Sequence, residues 1–167
     1  MPNYRHRLRT VGTYFFTLVT YQRQPFLCRP LARGLLRDAI LACQADRPLV
    51  LDAIVLLPDR LHAICTMPPG DLDNFTRWGV IKKTFTQSWL ANGGSEGGIS
   101  ESRVVNRRRG VCQRRSWKHC VRDVNNHQGC ADYVRHNPVK HGPARCLREW
   151  PCSSFSRMVG DGVYQSD

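Results

Sequence analysis

The chain has 167 residues, with 25 Lys and Arg against 13 Asp and Glu, so its formal net charge is +12. This length predicts one domain that buries a core without disulfides or a structural metal. The charge favours a polyanionic partner, with nucleic acid ahead of an anionic membrane. The apolar run GTYFFTLVTY is about half the length of a membrane span and lacks a signal-peptide cleavage site, so we expect no membrane partner and a cytoplasmic location.

The first half of the chain predicts a strand, a helix and a hairpin. Residues 13–21 are rich in aromatic and β-branched side chains, which is typical of a strand. Pro30 begins a helical pattern that ends before residue 46. Two apolar runs, 49–57 and 61–67, are joined by a tight turn, which predicts an antiparallel hairpin in a covered sheet.

A second helix is predicted at residues 72–91, followed by a glycine-rich loop. Its helically spaced apolar side chains predict a buried face made of Phe75, Trp78, Ile81, Phe85 and Trp89. The segment NGGSEGG has the composition of a flexible connection, so we expect a flexible loop at 92–101 inside one domain. Residues 102–122 then carry eight Lys or Arg and no acid, with a predicted strand at 111–117.

A third helix is predicted to begin near Asn125 or Asn126, either of which could cap it, and to end at Pro138. Its inward face would comprise Cys130, Tyr133, Val134 and Asn137. The remaining residues show weak periodicity, which predicts a tail at 143–167 that packs irregularly on the domain formed by 1–142.

Three features could carry chemistry: His62 on a strand, Tyr133 and Asn137 one turn apart on a helix, and the basic segment. A tyrosine oxygen attacks phosphorus when the phosphate is polarised by a metal ion. An imidazole and an amide oxygen suit Mg²⁺ or Mn²⁺ only weakly. Each residue also has a purely structural interpretation as a core histidine, a packing tyrosine or a helix-ending asparagine. The residues alone therefore predict nucleic-acid binding more strongly than catalysis.

Eight cysteines are present without a CxxC pair, and nothing else in the sequence indicates secretion. We interpret them as reduced, small apolar residues. An alternative is a zinc site, and thus a zinc-dependent nucleic-acid-binding module, built from Cys112, His119 and Cys120.

The sequence resembles the REP-associated tyrosine transposases, bacterial relatives of the HUH single-strand DNA endonucleases. The similarity covers most of the chain, in YFFTLVTYQRQ, DRPLVLDAIVLLPDRLHAICTMPPGD, RWGVIKKTFT, CQRRSWKHCVRD, DYVRHNPVKHG and EWPCSSF. The resemblance implies a ferredoxin-like α+β fold with a central antiparallel sheet and helices on one side. It also implies binding of hairpins in single-stranded DNA, which a metal-assisted tyrosine cleaves and rejoins through a 5′-phosphotyrosine link without ATP.

Carried onto this sequence, the family's two-histidine motif falls on Arg60 and His62, its nucleophile on Tyr133 and its third metal ligand on Asn137. Arginine has no lone pair to offer a metal and stays protonated. Two outcomes follow. Either Mg²⁺ or Mn²⁺ is held weakly by His62, Asn137 and Asp59, or Arg60 itself binds the phosphate.

Further expectations rest on the same resemblance and on charge. Bulky aromatics common in the family are replaced at Cys65, Cys112, Ser116 and Cys152, which would leave a less stable core. The residues predicted to hold the DNA backbone are Arg60, Lys82, Lys83, Arg114 and Arg115. We expect a monomer or a homodimer that acts on hairpin-forming single-stranded DNA. The alternative is a hairpin-binding protein that does not cut, with Arg60 as a phosphate clamp.

Overall fold

The computed structural model describes residues 12–146 and 149–154, which form an α+β domain as predicted. In chain order the strands are β1 (Thr13–Val19), β2 (Val50–Leu57), β3 (Arg60–Thr66) and β4 (Trp117–Cys120). The helices are α1 (Pro30–Asp46), α2 (Asn74–Ala91), α3 (Glu101–Val105) and α4 (Val124–Lys140), with a 3-10 turn at Tyr21–Arg23. None of the helices in the described part of the chain has the length and apolar character needed to cross a bilayer.

The four strands form one antiparallel sheet in the order β2-β3-β1-β4. The predicted hairpin is the β2–β3 pair. In the register of the sheet, Thr17 of β1 lies between His62 of β3 and Trp117 of β4. Since alternate residues of a strand point to the same face, Arg60 and His62 share a face with Phe15 and Thr17.

Apolar side chains cover both faces of the sheet. One face packs Phe16, Leu18 and Ala63 against α1 and α2, and the Trp78 ring stacks on Phe16 at 4.2 Å between centroids. The opposite face packs Phe15, Val55 and Ile64 against Ala131 and Val134 of α4. Helices therefore lie on both sides of the sheet, and the expectation of helices on one side was wrong. The cause is that β1, β2 and β3 carry apolar side chains on both faces of the sheet, so helices must shield each face from water.

The buried face of α2 is confirmed except at its first turn. Trp78, Ile81, Phe85 and Trp89 are buried, but Phe75 is 78% exposed. The inward position near the start of the helix belongs instead to Arg77, whose guanidinium is buried and donates to Asp71 Oδ2 at 2.6 Å and to the carbonyl oxygens of Asp73 and Pro48. The Asp71 carboxylate and the backbone carbonyls satisfy the hydrogen-bond donors of the buried Arg77 guanidinium. A search for periodic apolar residues cannot identify such a buried arginine.

The segment between α2 and β4 differs from the prediction. The predicted strand at 111–117 was wrong, because only an isolated bridge joins Cys112 to Thr20 and β4 lies further along the chain. The short helix α3 was not predicted. The loop at 92–101 contains little regular structure, as predicted, and hydrogen bonds from Trp89 Nε1 to Ser95 O at 2.7 Å and from Gly97 N to Gly110 O at 2.9 Å fasten it to its surroundings.

Both predicted ends of α4 need correction. Asp123, not Asn125 or Asn126, caps the helix, and its carboxylate accepts from the backbone N–H of Asn126 at 2.8 Å. Pro138 lies inside the helix, which continues to Lys140. Pro138 has no N–H to donate to the carbonyl oxygen of Val134, and the helix ends two residues later.

Residues 149–154 of the predicted tail pair with the outer edge of β2. Leu56 N donates to Cys152 O at 2.7 Å, and Ser154 N donates to Ile54 O at 2.9 Å. The indole Nε1 of Trp150 donates to Leu56 O at 2.7 Å. This stretch therefore adds a short strand-like segment to an exposed edge. Residues 147–148 and 155–167 of the predicted tail lie outside the described residues.

Candidate active site

His62 lies at the centre of the β-sheet face that α4 covers. Only 4% of its surface is exposed, and its Nδ1 lies 2.8 Å from the hydroxyl oxygen of Thr17 on the neighbouring strand. Its Nε2 is buried and has no hydrogen-bond partner among the described residues. A buried ring nitrogen without a partner costs free energy, so its retention points to a ligand or substrate atom at this position.

Burial, together with the neighbouring Arg60 and His141 side chains, lowers the pKa of His62 to about 4, while Asp59 acts in the opposite direction. His62 is therefore neutral at physiological pH. A neutral imidazole held at Nδ1 by Thr17 presents one nitrogen at Nε2 in a fixed direction.

Acid should destabilise this protein through His62. The unfolded chain takes up the proton near pH 6.5 and the folded chain only near pH 4, so the free energy of unfolding falls as the pH drops through this window. The loss amounts to about 3 kcal/mol from this residue. Thermal or urea unfolding between pH 7 and pH 4 measures it. In His62→Gln the corresponding part of the pH dependence should vanish, and an unchanged profile would contradict the prediction.

Tyr133 faces His62 from α4. The centroids of the two rings lie 5.2 Å apart and nearly perpendicular, and the tyrosine is 39% exposed. The Lys140 ammonium lies 5.5 Å from the Tyr133 ring centroid, two turns further along the same helix. Both predicted catalytic residues therefore line one cavity of about 520 Å³, and the phenol is accessible from solvent.

Arg60 and Asp59 form a charged group at the turn between β2 and β3. Arg60 Nε donates to Asp59 Oδ1 at 3.0 Å, and Arg23 donates to Asp59 Oδ2 at 3.2 Å. Both carboxylate oxygens of Asp59 are thus engaged by arginines. The terminal nitrogens of Arg60 make no hydrogen bond to the described residues and remain available to an anion.

Comparison with known proteins decides the family. The chain is 35% identical over its full length to the REP-associated tyrosine transposase of Escherichia coli and spans 90% of that protein. It is also 32% identical over its full length to a Haemophilus influenzae protein assigned to the same family, of which it spans 93%. The chain belongs to the REP-associated tyrosine transposase family. A search of family models gave no match.

A solved structure extends this assignment to the fold. The structure of a REP-associated tyrosine transposase bound to a REP hairpin has a TM-score of 0.76 and 35% sequence identity to this chain. The match covers 98% of this chain and 88% of that one. The fold of this transposase homologue is thus the family fold.

The donor set of this transposase homologue does not fit a divalent-ion site of the kind that the resemblance implies. Asn137 is fully buried, its side-chain oxygen and nitrogen have no partner among the described residues, and it is not part of the cavity lining shared by His62 and Tyr133. Arg60 offers no lone pair, and arginines engage Asp59. Across 12–146 and 149–154, no three His, Cys, Asp or Glu side chains are grouped to hold a metal ion.

The same observations remove the zinc alternative for the described residues. His119 and Cys120 are consecutive on β4 and point to opposite faces of the sheet, and Cys112 is buried in the core on the α1–α2 face. His119 Nε2 instead pairs with Asn126 Oδ1 at 2.9 Å. All eight cysteines are free thiols, as predicted. Cys65, Cys112 and Cys152 are buried, whereas Ser116, the fourth position at which we expect an aromatic to be replaced, is half-buried.

The predicted DNA-binding lysines differ in their surroundings. Lys82 Nζ donates to the carbonyl oxygens of Gln113 and Arg114 at 2.6 and 2.9 Å, with Ser116 Oγ at 3.3 Å. Burial lowers the pKa of Lys82. Its three donors are therefore occupied by the loop that precedes β4. By contrast, Lys83, Arg114 and Arg115 are exposed.

Several residues of the site were not singled out by sequence reasoning. Thr17 orients His62, and Phe15 lies 5.7 Å from both the His62 and Tyr133 ring centroids. Thr17 and Phe15 become neighbours of His62 through the register of β1 against β3. The sequence alone does not give this register. Lys140, seven residues after Tyr133, could have been found from helical periodicity, since two turns bring side chains to the same face.

Proposed function

We propose that this protein binds hairpin-forming single-stranded DNA and cleaves and rejoins it through Tyr133. The observation that carries the proposal is the accessible Tyr133 phenol facing the buried, neutral His62 across one cavity. Membership of the transposase family and the likeness to a hairpin-bound relative support the DNA hairpin as substrate. A DNA substrate agrees with the cytoplasmic location that the sequence predicts.

The proposed cleavage is a transesterification at phosphorus. Tyr133 Oη forms a bond to the scissile phosphorus, and its proton passes to solvent through the open side of the cavity. The bond from phosphorus to the 3′ oxygen breaks, and the 3′ oxygen takes up a proton from solvent. The products are a 5′-phosphotyrosine and a free 3′-hydroxyl. Rejoining reverses these steps with a 3′-hydroxyl as the nucleophile, so the phosphodiester bond is conserved without ATP.

Within this proposal, Arg60 binds the phosphate oxygens from the sheet face that it shares with His62, just outside the residues that line the cavity. Its free terminal nitrogens form a planar donor pair suited to a phosphate. Mg²⁺ or Mn²⁺, if bound through His62 and Asn137, would be held weakly, because one imidazole and one amide do not supply the oxygen shell that these ions prefer.

A second candidate function is binding to hairpin DNA without cleavage. The incomplete donor set and the charged Arg60 in place of a histidine favour it. In this form of the proposal, Arg60 is a phosphate clamp and Tyr133 a contact residue. We propose a monomer or a homodimer as the form that carries either function.

One assay separates the two candidates. The protein is mixed with a labelled hairpin oligonucleotide and Mg²⁺ or Mn²⁺, and a denaturing gel shows whether a protein–DNA adduct forms. An unstructured oligonucleotide of equal length is the control. An adduct on the hairpin supports the transposase mechanism, whereas tight hairpin binding without any adduct supports the binder. Equal, weak binding to both oligonucleotides would contradict both.

Exposed arginines before β4 should contribute to DNA affinity by binding phosphates. Arg114→Gln with Arg115→Gln should flatten the dependence of log affinity on log salt by roughly one unit for each phosphate that is no longer bound, because fewer counterions are released. Lys82 is left unchanged, since it holds this loop. Binding titrations from low to moderate salt give the slope. The matched control is Arg29→Gln with Arg37→Gln at and inside α1, which should keep the wild-type slope. Equal slopes in all three proteins would refute this assignment.

A further inference from the structure

The cavity between β1, β4 and α4 has a wall that the cleavage chemistry does not use. Besides Phe15, Thr17, His62 and Tyr133, its lining comprises Trp117, Asn125, Asn126, Gly129 and Cys130. Its volume of about 520 Å³ is far larger than a phosphate group requires. Trp117 lies on the sheet side of the cavity, whereas the other four residues share α4 with Tyr133. The remaining space is large enough for a flat, partly apolar group.

Trp117 is the principal feature of this wall. It is 59% exposed, although aromatic side chains of this size are normally covered. Its ring is fixed from two sides, by a parallel stack with His119 at 6.0 Å and an edge contact with Phe15 at 5.5 Å. An exposed indole that is held by ring contacts on two sides presents a stacking surface for a nucleobase.

Gly129 and Asn125 complete the cavity from α4. Gly129 is exposed within the helix, and a Cβ added there would meet nothing within 4 Å, so its lack of a side chain keeps the cavity wide rather than relieving a clash. A glycine in a helix costs about 1 kcal/mol relative to alanine, and its position at the cavity wall accounts for that cost. Asn125 is exposed at the cavity edge and offers an amide with both donor and acceptor. The amide oxygen of Asn126 is already engaged by His119 and by Arg122 N.

We propose that this cavity binds one unpaired nucleobase of the DNA strand next to the phosphate that Tyr133 faces. Trp117 stacks on the base, Gly129 leaves room for it, and Asn125 contacts its edge. The proposal rests on the proposed function and adds a base pocket to it. One unpaired base would thereby position the backbone against Tyr133, so that single-stranded DNA is preferred over duplex at this point. Trp117 is thus a binding and positioning residue, and it takes no part in bond making.

An abasic scan tests the pocket. In a hairpin oligonucleotide with a single-stranded flank, each flanking nucleotide is replaced in turn by an abasic residue, and the affinity is measured. One position should lose affinity by roughly 5- to 100-fold, the range expected for one base–aromatic stack. In Trp117→Ala that sensitivity should disappear and the intact oligonucleotide should bind as weakly as the abasic one. Trp117→Phe should restore most of the effect.

Gly129 supplies an independent variant in the same cavity. Gly129→Leu should fill the cavity and reproduce the loss seen with Trp117→Ala, and it should melt at an equal or higher temperature, because leucine favours a helix more than glycine does. If wild type and Trp117→Ala give the same abasic profile, the pocket is refuted. If the profile is flat but the hairpin still binds and is cut, the pocket fails and the proposed function stands. Loss of all hairpin binding in the wild type would overturn both.

Discussion

Tyr133→Phe is expected to abolish the covalent protein–DNA adduct while leaving hairpin affinity within about twofold of the wild-type value. The substitution removes only the oxygen that would bond to phosphorus, and Tyr133 is the one tyrosine among the described residues that line the cavity. The Tyr133 ring keeps its contacts with Phe15 and His62, so folding should be unaffected. A change at one exposed hydroxyl costs little in stability.

The measurement is a denaturing gel of protein mixed with a labelled hairpin, combined with a binding titration of the same protein. Tyr14→Phe is the matched control. Tyr14 points to the α1–α2 face of the sheet, and its hydroxyl makes only a long contact of 3.5 Å with Leu72 O. It should form the adduct at the wild-type level. An adduct that persists in Tyr133→Phe would assign the nucleophile to another residue and remove the central step of the proposal.

Arg60→His should raise cleavage by about 100-fold if a missing metal ligand is the main defect of this protein. Residues 60 and 62 lie on the same face of β3, so the substitution would place two imidazoles two residues apart on one strand. Two such nitrogens form a chelating pair, and a bound divalent ion contributes several kcal/mol to phosphoryl-transfer transition states. Asp59 would keep its hydrogen bond to Arg23 and lose the one to Arg60.

Manganese binding and cleavage rate should be measured together for wild type, Arg60→His and Arg60→Gln. The glutamine variant removes the positive charge without adding a nitrogen ligand, so it should bind the hairpin less tightly and cut no faster. If Arg60→His binds manganese but does not cut, the defect lies elsewhere in the site. If Arg60→Gln accelerates cleavage as much as Arg60→His, then the arginine itself inhibits cleavage, and the absence of a metal-binding histidine at position 60 is not the cause of slow cleavage.

Local sequence patterns were sufficient for the elements whose side chains alternate or repeat. The β2–β3 hairpin follows from two apolar runs around a proline turn, and α2 follows from aromatics at helical spacing. β4 was misplaced because it has only four residues and little apolar alternation, so its position depends on pairing with β1. The hydrogen bonds from Lys82 to carbonyl oxygens some thirty residues away could not be predicted either, since secondary-structure propensities contain no information on such contacts.

The site was predictable only through resemblance. His62 and Tyr133 are separated by most of the fold, and no spacing rule brings a β3 residue to α4. The motifs shared with the family predict both as site residues, and their ring centroids lie 5.2 Å apart in the structure. Trp117 was overlooked because a single aromatic in a basic segment has no periodic neighbour. Trp117 becomes noticeable only in the structure, where it is exposed while its neighbours Phe15 and His62 are buried.

The pairing of residues 152–154 with β2 has a consequence for truncated copies of the gene. An uncovered strand edge offers free amide and carbonyl groups to any similar strand, including that of a neighbouring molecule. A product ending before Trp150 would keep Tyr133 and His62 but would expose that row of groups next to apolar side chains. Aggregation, rather than loss of chemistry, would then be the first failure of a shortened gene product.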